Sequence, residues 1–352
     1  MVDILAYLKM ASDMAASDIF IGVGRRISFK VNGVLTQQGE EKLTMEDVEA
    51  AIKDLYVLDK RDMDKFVRTG DDDFSVPVPD VARFRVNVFR QRGTIGAVIR
   101  VVLFNIPNYQ DLSIPEEVMS IAFKHHGLAL VTGTAGSGKS TTLGCVIDRI
   151  NKTRNCHILT MEDPIEFLHR DDKSIITQRE ISEDTESYIT ALRAALRQAP
   201  DIILLGEMRD YETIGTAMTA AETGQLVIST LHTTSAVSTI DRIIDVFPPG
   251  QQQQIRVQLA MSLQTVVTQK LLPSKAGGLV PAFEILQVNN AVRNLIRESK
   301  THQIDNVIST SAQEKMVSMD TFIYRLFKDD IITIDTAVFY ATEPEQMARR
   351  IR

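Results

Sequence analysis

Leu128-Ala129-Leu130-Val131-Thr132-Gly133-Thr134-Ala135-Gly136-Ser137-Gly138-Lys139-Ser140-Thr141 is the stretch that decides the fold. Leu128 to Val131 reads as a buried strand. Gly133 to Ser140 then follows GxxxxGK[ST] at the head of a predicted helix over 139–150, the context a phosphate-binding loop requires. Glycines let backbone N–H groups turn inward onto phosphate oxygens, and the helix N-terminus adds partial positive charge. Lys139 is placed to reach the β- and γ-phosphates, and Ser140 to offer its hydroxyl to Mg2+. The candidate nucleotide-binding residues are therefore Gly133, Thr134, Ala135, Gly136, Ser137, Gly138, Lys139, Ser140 and Thr141, with ATP and Mg2+ as the expected ligands.

Around this loop, apolar runs at His157 to Thr160, Ile202 to Leu205 and Gln225 to Thr230 alternate with predicted helices over 185–198 and 210–223. Runs of that kind are buried, mostly parallel strands of a doubly wound α/β core. Beyond about residue 250 the pattern reads as helical, with one strand-like run near Leu279 to Val288.

Hydrolysis needs more than a phosphate loop: a carboxylate on the metal side and a group that positions water. Asp201-Ile202-Ile203-Leu204-Leu205-Gly206-Glu207 is an apolar strand that delivers an acid at its C-terminal end, a Walker-B-like arrangement that makes Glu207 a candidate metal and catalytic residue. Thr160-Met161-Glu162-Asp163-Pro164 ends a second strand in two acids. His232 follows a third, where its imidazole can hydrogen-bond a γ-phosphate. Each has a plainer alternative, a solvated turn for Glu162 and Asp163 and a structural histidine for His232. His125, His126, His157, His169 and His302 lack paired metal-ligand spacing.

Residues 1–103 read as a smaller α+β domain. Asp3 can cap a first helix, Thr44 and Asp47 have capping-box spacing before a second, and Asn32-Gly33 is a hairpin turn after a strand at Ile27 to Val31. Two more strands are expected to close the domain. In Arg83-Phe84-Arg85-Val86-Asn87-Val88 the alternation sends Phe84, Val86 and Val88 to the core and Arg83, Arg85 and Asn87 to the other face. Arg90, Arg92 and Arg100 extend this basic character. An arginine-dominated face suits phosphate recognition; a charged edge that deters aggregation is the alternative.

The chain has 352 residues, 44% hydrophobic and 24% charged, enough for about two domains each with its own core. A net charge of −7 argues against broad adhesion to nucleic acid. Two cysteines, Cys145 and Cys156, cannot build a disulfide framework and point to a reducing compartment. With no basic leader at the start and no apolar run near the ~18 residues a membrane helix needs, a cytoplasmic protein without a transmembrane segment is expected.

GTAGSGKST from Gly133, LTMEDPIEF from Leu159, QRE at Gln178, ALRAALRQAPDIILLGEMRD from Ala191, AAETGQLVISTLHTTSA from Ala220 and IDRIIDVFPP from Ile240 resemble, in order, the secretion ATPases of type II secretion and type IV pili. RFRVN at Arg83 and Ala291-Val292-Arg293-Asn294-Leu295-Ile296-Arg297-Glu298 are most similar to the pilus-retraction branch of that family, and the likeness covers essentially the whole chain. Ser229 stands where the family more often has glycine, and Val292 where it has isoleucine. The extension relatives carry a zinc-binding tetracysteine element that two cysteines cannot form.

The resemblance implies a PAS-like N-terminal domain (1–103), a linker (104–111) and a RecA-like P-loop ATPase domain with a helical C-terminal region (112–352). It further implies a homohexameric ring, peripheral at the inner face of the cell membrane, that couples ATP hydrolysis to pilus retraction against an inner-membrane platform protein. Glu162 and Asp163 become the family's Asp box, Glu207 its Walker B glutamate and His232 its His box. Arg85 and Arg100 match the N-terminal-domain arginines that reach nucleotide at a subunit boundary, better than Arg83 or Arg90 does. Pilus extension or type II secretion is the alternative within the family, and a RecA-like nucleic-acid motor the alternative outside it.

Overall fold

The structure, a computed structural model, describes residues 2–31, 33–102 and 106–352. It divides into two compact units, Met1–Ile106 with Ile165–Arg170, and Pro107–Pro164 with Asp171–Arg352. Both mix helix and strand. The grouping of 165–170 with the first unit has no counterpart in any sequence pattern.

In the first unit, Asp18–Gly22 (β1), Ile27–Val31 (β2), Val34–Gln38 (β3), Asp71–Val78 (β4), Ala82–Gln91 (β5) and Thr94–Val102 (β6) form a PAS-like antiparallel sheet in the order β3-β2-β1-β6-β5-β4. The helices Ile4–Asp13 and Met45–Leu58 contribute Leu8, Ile52 and Leu55 to one core with Phe84, Val86 and Ile99 of the sheet. Burying each such side chain stabilises the unit by about 1.5–3 kcal/mol. Local chemistry sets where these helices begin. Asp3 accepts from the Ala6 N–H at 3.1 Å, and Thr44 and Asp47 form a reciprocal capping box at 3.1 and 3.2 Å.

Three strands rather than two close this unit. The extra one, β4, begins Asp71-Asp72-Asp73, which no hydrophobic pattern marks as strand. Its middle carboxylate is buried because it accepts from the Tyr56 hydroxyl at 3.0 Å and pairs with the Lys65 ammonium at 2.8 Å. Val31 of β2 pairs with Val34 of β3, the register a two-residue turn requires. Asn32 of the expected turn lies outside the described residues, as do Phe104 and Asn105 of the expected linker.

The second unit holds a seven-stranded sheet of Gly127–Thr132 (β7), His157–Glu162 (β8), Ile175–Glu180 (β9), Ile202–Leu205 (β10), Leu226–Leu231 (β11), Leu263–Pro273 (β12) and Leu279–Gln287 (β13). Its order is β13-β12-β7-β11-β10-β8-β9, parallel except for the β12–β13 pair. The expected helices appear as Lys139–Thr153, Tyr188–Ala195 and Tyr211–Glu222. This is the RecA-like P-loop arrangement, and β7, β11, β10 and β8 all point their C-terminal ends at one edge.

The expectation of a single strand beyond residue 250 is corrected here. β12 follows the helix Pro249–Ser262 without an intervening turn, and its polar residues hide it from a hydrophobicity count. Thr265, Thr268 and Gln269 are buried because each finds a partner on a neighbouring element: Leu286 O for Thr265 at 2.9 Å, Thr132 Oγ1 for Thr268 at 3.0 Å and Thr142 Oγ1 for Gln269 at 2.8 Å. The C-terminal helices Met319–Lys328, Ile334–Tyr340 and Pro344–Ile351 pack around a separate small core with Leu272 and Val280 of β12 and β13.

Candidate active site

β7 is buried along its whole length, and the loop from Gly133 to Gly138 leaves it for the helix that starts at Lys139. Gly133 has φ +143°, and a Cβ there would lie 2.3 Å from the Gln269 carbonyl oxygen and 2.6 Å from Ser137 Oγ. Gly138, at φ +86°, is the left-handed residue on which the helix begins. Lys139 Nζ donates to the carbonyls of Gly133 and Thr134 at 2.8 and 2.9 Å, which folds the lysine back over the loop. Ser137 Oγ is buried without a hydrogen-bond partner among the described residues. A cradle open only to backbone, a lysine across it and an orphaned hydroxyl within it fit a phosphate chain. Ser140 and Thr141 stand in the first helical turn. A cleft of about 520 Å³ opens in front of the loop, between Gly133 to Ser137 and Thr234, Lys270 and Phe339.

The strand order β7-β11-β10-β8 sets the P-loop, His232, Glu207 and Glu162 on successive strand ends, about 5 Å apart per step. Glu207 is mostly buried: its Oε1 takes Arg209 Nε at 2.7 Å and its Oε2 lies 3.5 Å from His232 Nε2. A cleft of about 270 Å³ opens beside them, lined also by Thr230, Thr233 and Arg242. Glu162 Oε1 accepts from Thr160 Oγ1 at 2.6 Å and Gln178 Nε2 at 3.3 Å. Asp163 is exposed at the end of the same strand. The three acids converge on one side chain, Tyr188: burial, then the charges of Glu207, Asp163 and Glu162, push its phenol well above the ordinary range. A Cβ on Gly206 would lie 2.7 Å from the Tyr188 hydroxyl, so this glycine admits the ring to the acid cluster.

Nothing in the sequence pattern singles out Tyr188 or Gln269, whereas Gln178 opens the QRE motif. Tyr188 opens a helix capped by Ser187, and nothing in that local pattern announces a neighbour that comes from another strand end. His157, by contrast, serves its own neighbourhood, with Nδ1 3.1 Å from Gln198 O and Nε2 3.0 Å from Thr177 Oγ1. No His, Cys, Asp and Glu group suited to hold a metal by itself occurs among the described residues.

In the first unit, Arg85 and Arg100 are direct cross-strand partners on β5 and β6, and Arg100 Nε pairs with Asp18 Oδ1 at 3.3 Å. Arg83 shares their face by alternation. Arg90 does not: its guanidinium lies 5.5 Å above the Phe66 ring, where it packs.

Two further residues hold the second unit's frame. Arg293, in the helix Asn290–Arg297, donates from Nη1 to the carbonyls of Ala260 and Met261 at 2.7 and 3.0 Å, capping the helix that runs into β12. Arg293→Ala is expected to lower unfolding stability by about 1.5–3 kcal/mol, with Lys recovering less than half because it lacks the guanidinium fork; urea unfolding measures both. Glu284 of β13 accepts from the Ala236 N–H at 2.8 Å, just after the His232 loop, and from Met319 at the start of another helix. Burial raises its carboxyl above the ordinary value despite these bonds. A carboxyl raised in the folded state loses its stabilising proton as pH climbs above the unfolded value of about 4.3. Glu284→Gln, which keeps an acceptor oxygen, is therefore expected to flatten the fall in stability on the alkaline side of that value, read by urea unfolding across pH.

Fold and site together define a RecA-like P-loop nucleotide-binding protein with an N-terminal α+β unit. The model of the type II/IV secretion system protein family matches residues 2–303, and the chain belongs to that family. It is 43% identical to the type IV pilus retraction ATPase PilT of Pseudomonas aeruginosa over 98% of this chain and 99% of that protein. It is 48% identical to a twitching motility protein of Neisseria gonorrhoeae over 78% of this chain and 74% of that one. Among solved structures, the pilus retraction motor PilT with bound ADP superposes with a TM-score of 0.89 at 42% identity, covering 99% of this chain and 100% of that one.

Proposed function

We propose that this chain is a Mg-dependent ATP hydrolase that powers retraction of type IV pili, working as a homohexameric ring at the cytoplasmic face of the cell membrane against a platform protein at the pilus base. The observation that carries this reading is the end-to-end likeness to a retraction ATPase, 98% of one chain and 99% of the other. No described helix is long and apolar enough to cross a membrane.

In this reading the loop N–H groups, Ser137 Oγ and Lys139 hold the phosphates, and Ser140 and Glu207 are the ligands offered to Mg2+. The bound cation would neutralise phosphate charge. Glu207 or Glu162 orients the attacking water and accepts its proton, with Asp163 beside Glu162 at the same strand end. His232, 3.5 Å from Glu207, links the γ-phosphate position to that carboxylate. Arg85 and Arg100 supply guanidinium charge to a nucleotide at a subunit boundary.

Deletion of the gene should leave cells hyperpiliated and unable to twitch, and the purified chain should hydrolyse ATP as a six-subunit species by mass in solution. A strain that loses its pili would favour an extension ATPase. Several-fold stimulation of ATPase by single-stranded DNA would favour a nucleic-acid motor.

A further inference from the structure

One residue of the neighbouring strand lies against both ends of the phosphate loop. Gln269 of β12 is 3% exposed. Its backbone carbonyl stands where a Cβ on Gly133 would be, at 2.3 Å, and its side-chain Nε2 lies 2.9 Å from where a Cβ on Gly138 would be. Its Oε1 accepts from Thr142 Oγ1 at 2.8 Å, in the first turn of the helix that the loop feeds. The strand carrying it is locked in register beside the loop's own strand, with Thr268 opposite Thr132 and their hydroxyls 3.0 Å apart. Gln269 also lines both cavities that flank the loop, the one before Gly133 to Ser137 and a second of about 280 Å³ beside Thr141 and Asp111 to Ile114.

We infer that Gln269 is the positioning residue of the phosphate site: it clamps Gly133, Gly138 and Thr142 so that the loop N–H groups point inward before nucleotide arrives. The inference rests on the proposed nucleotide site. The reason is geometric. Gly133 and Gly138 are two of the loop's three positive-φ glycines, its most conformationally free residues, and inward-pointing N–H groups bind phosphate well only if their direction is already set. A buried amide set beside Gly138 and hydrogen-bonded to the helix limits that freedom at both ends. β12 thereby carries the shape of the loop.

The test uses the full chain and a fluorescent ADP analogue, with ATPase kinetics and thermal melting alongside. Gln269→Leu keeps bulk and removes both polar functions; it should weaken nucleotide binding about 10- to 100-fold, raise KM by a like factor and lower kcat by less than threefold. Thr142→Val, which removes the partner hydroxyl and leaves Gln269 Oε1 buried and unpaired, should weaken binding about threefold to tenfold and lower the melting temperature by a few degrees. The double variant should bind no more weakly than Gln269→Leu alone, because both remove one clamp. Gln269→Asn keeps a neutral amide but withdraws it by one methylene from Thr142 and Gly138, and it decides the matter if the leucine variant does not fold: it should bind about tenfold more weakly with kcat changed less than threefold, and wild-type affinity in it would overturn the inference. Wild-type affinity in Gln269→Leu, or additive losses in the double variant, would overturn the inference. A wild-type chain that bound no nucleotide would instead overturn the proposed function.

Discussion

Glu207→Gln is expected to lower ATP turnover by roughly two to four orders of magnitude while nucleotide affinity stays within about threefold. The substitution keeps volume, and an amide oxygen can still accept from Arg209 Nε, which the carboxylate takes at 2.7 Å. What it removes is charge at the strand end two positions from the P-loop, where the reaction needs a metal-side acid. Steady-state hydrolysis paired with nucleotide titration separates the two quantities. Because Glu162 and Asp163 lie near the same tyrosine, a Glu207→Gln enzyme with wild-type turnover would transfer the water-orienting role to Glu162, and Glu162→Gln would then be the inactive variant.

Gly133→Ala should abolish high-affinity binding. At φ +143°, a methyl group would sit 2.3 Å from a carbonyl oxygen of β12 and 2.6 Å from Ser137 Oγ. Neither a strand backbone nor a buried loop can yield that much, so either the loop or β12 must move, at a cost of about 2–4 kcal/mol, which is roughly a 30- to 900-fold loss of affinity. Gly136→Ala is the internal control: φ is +76°, yet nothing lies within 4 Å of the added Cβ. That variant should lose no more than about 1–2 kcal/mol. Equal affinity for Gly133→Ala and wild type, by titration with a fluorescent ADP analogue, would mean that the loop does not cradle phosphate in the form described.

Much of this molecule was legible residue by residue. The capping box at Thr44 and Asp47, the alternation from Phe84 to Val88 and the apolar parallel strands all depend on neighbours within a few positions, and the structure contains each of them. The elements that escaped notice depend on partners far along the chain. β12 hides behind Thr265, Thr268 and Gln269, which are polar in sequence and satisfied only by Leu286, Thr132 and Thr142. β4 hides behind three aspartates, the central one buried because Tyr56 and Lys65 reach it.

The sequence by itself determined the chemistry on offer: a glycine-rich loop with Lys139 and Ser140, three acids at two strand ends, and arginines alternating with core residues. Those depend on residue type and local spacing, which short-range sterics translate directly into strand, loop and helix. Only the tertiary structure decided their company. Strand order set His232 3.5 Å from Glu207, brought Tyr188 among the acids, paired Arg85 with Arg100 while sending Arg90 to Phe66, and laid Gln269 against both ends of the phosphate loop. Which polar group meets which is settled by the pairing of strands remote in sequence, and a buried polar residue keeps its place only where such a partner satisfies it.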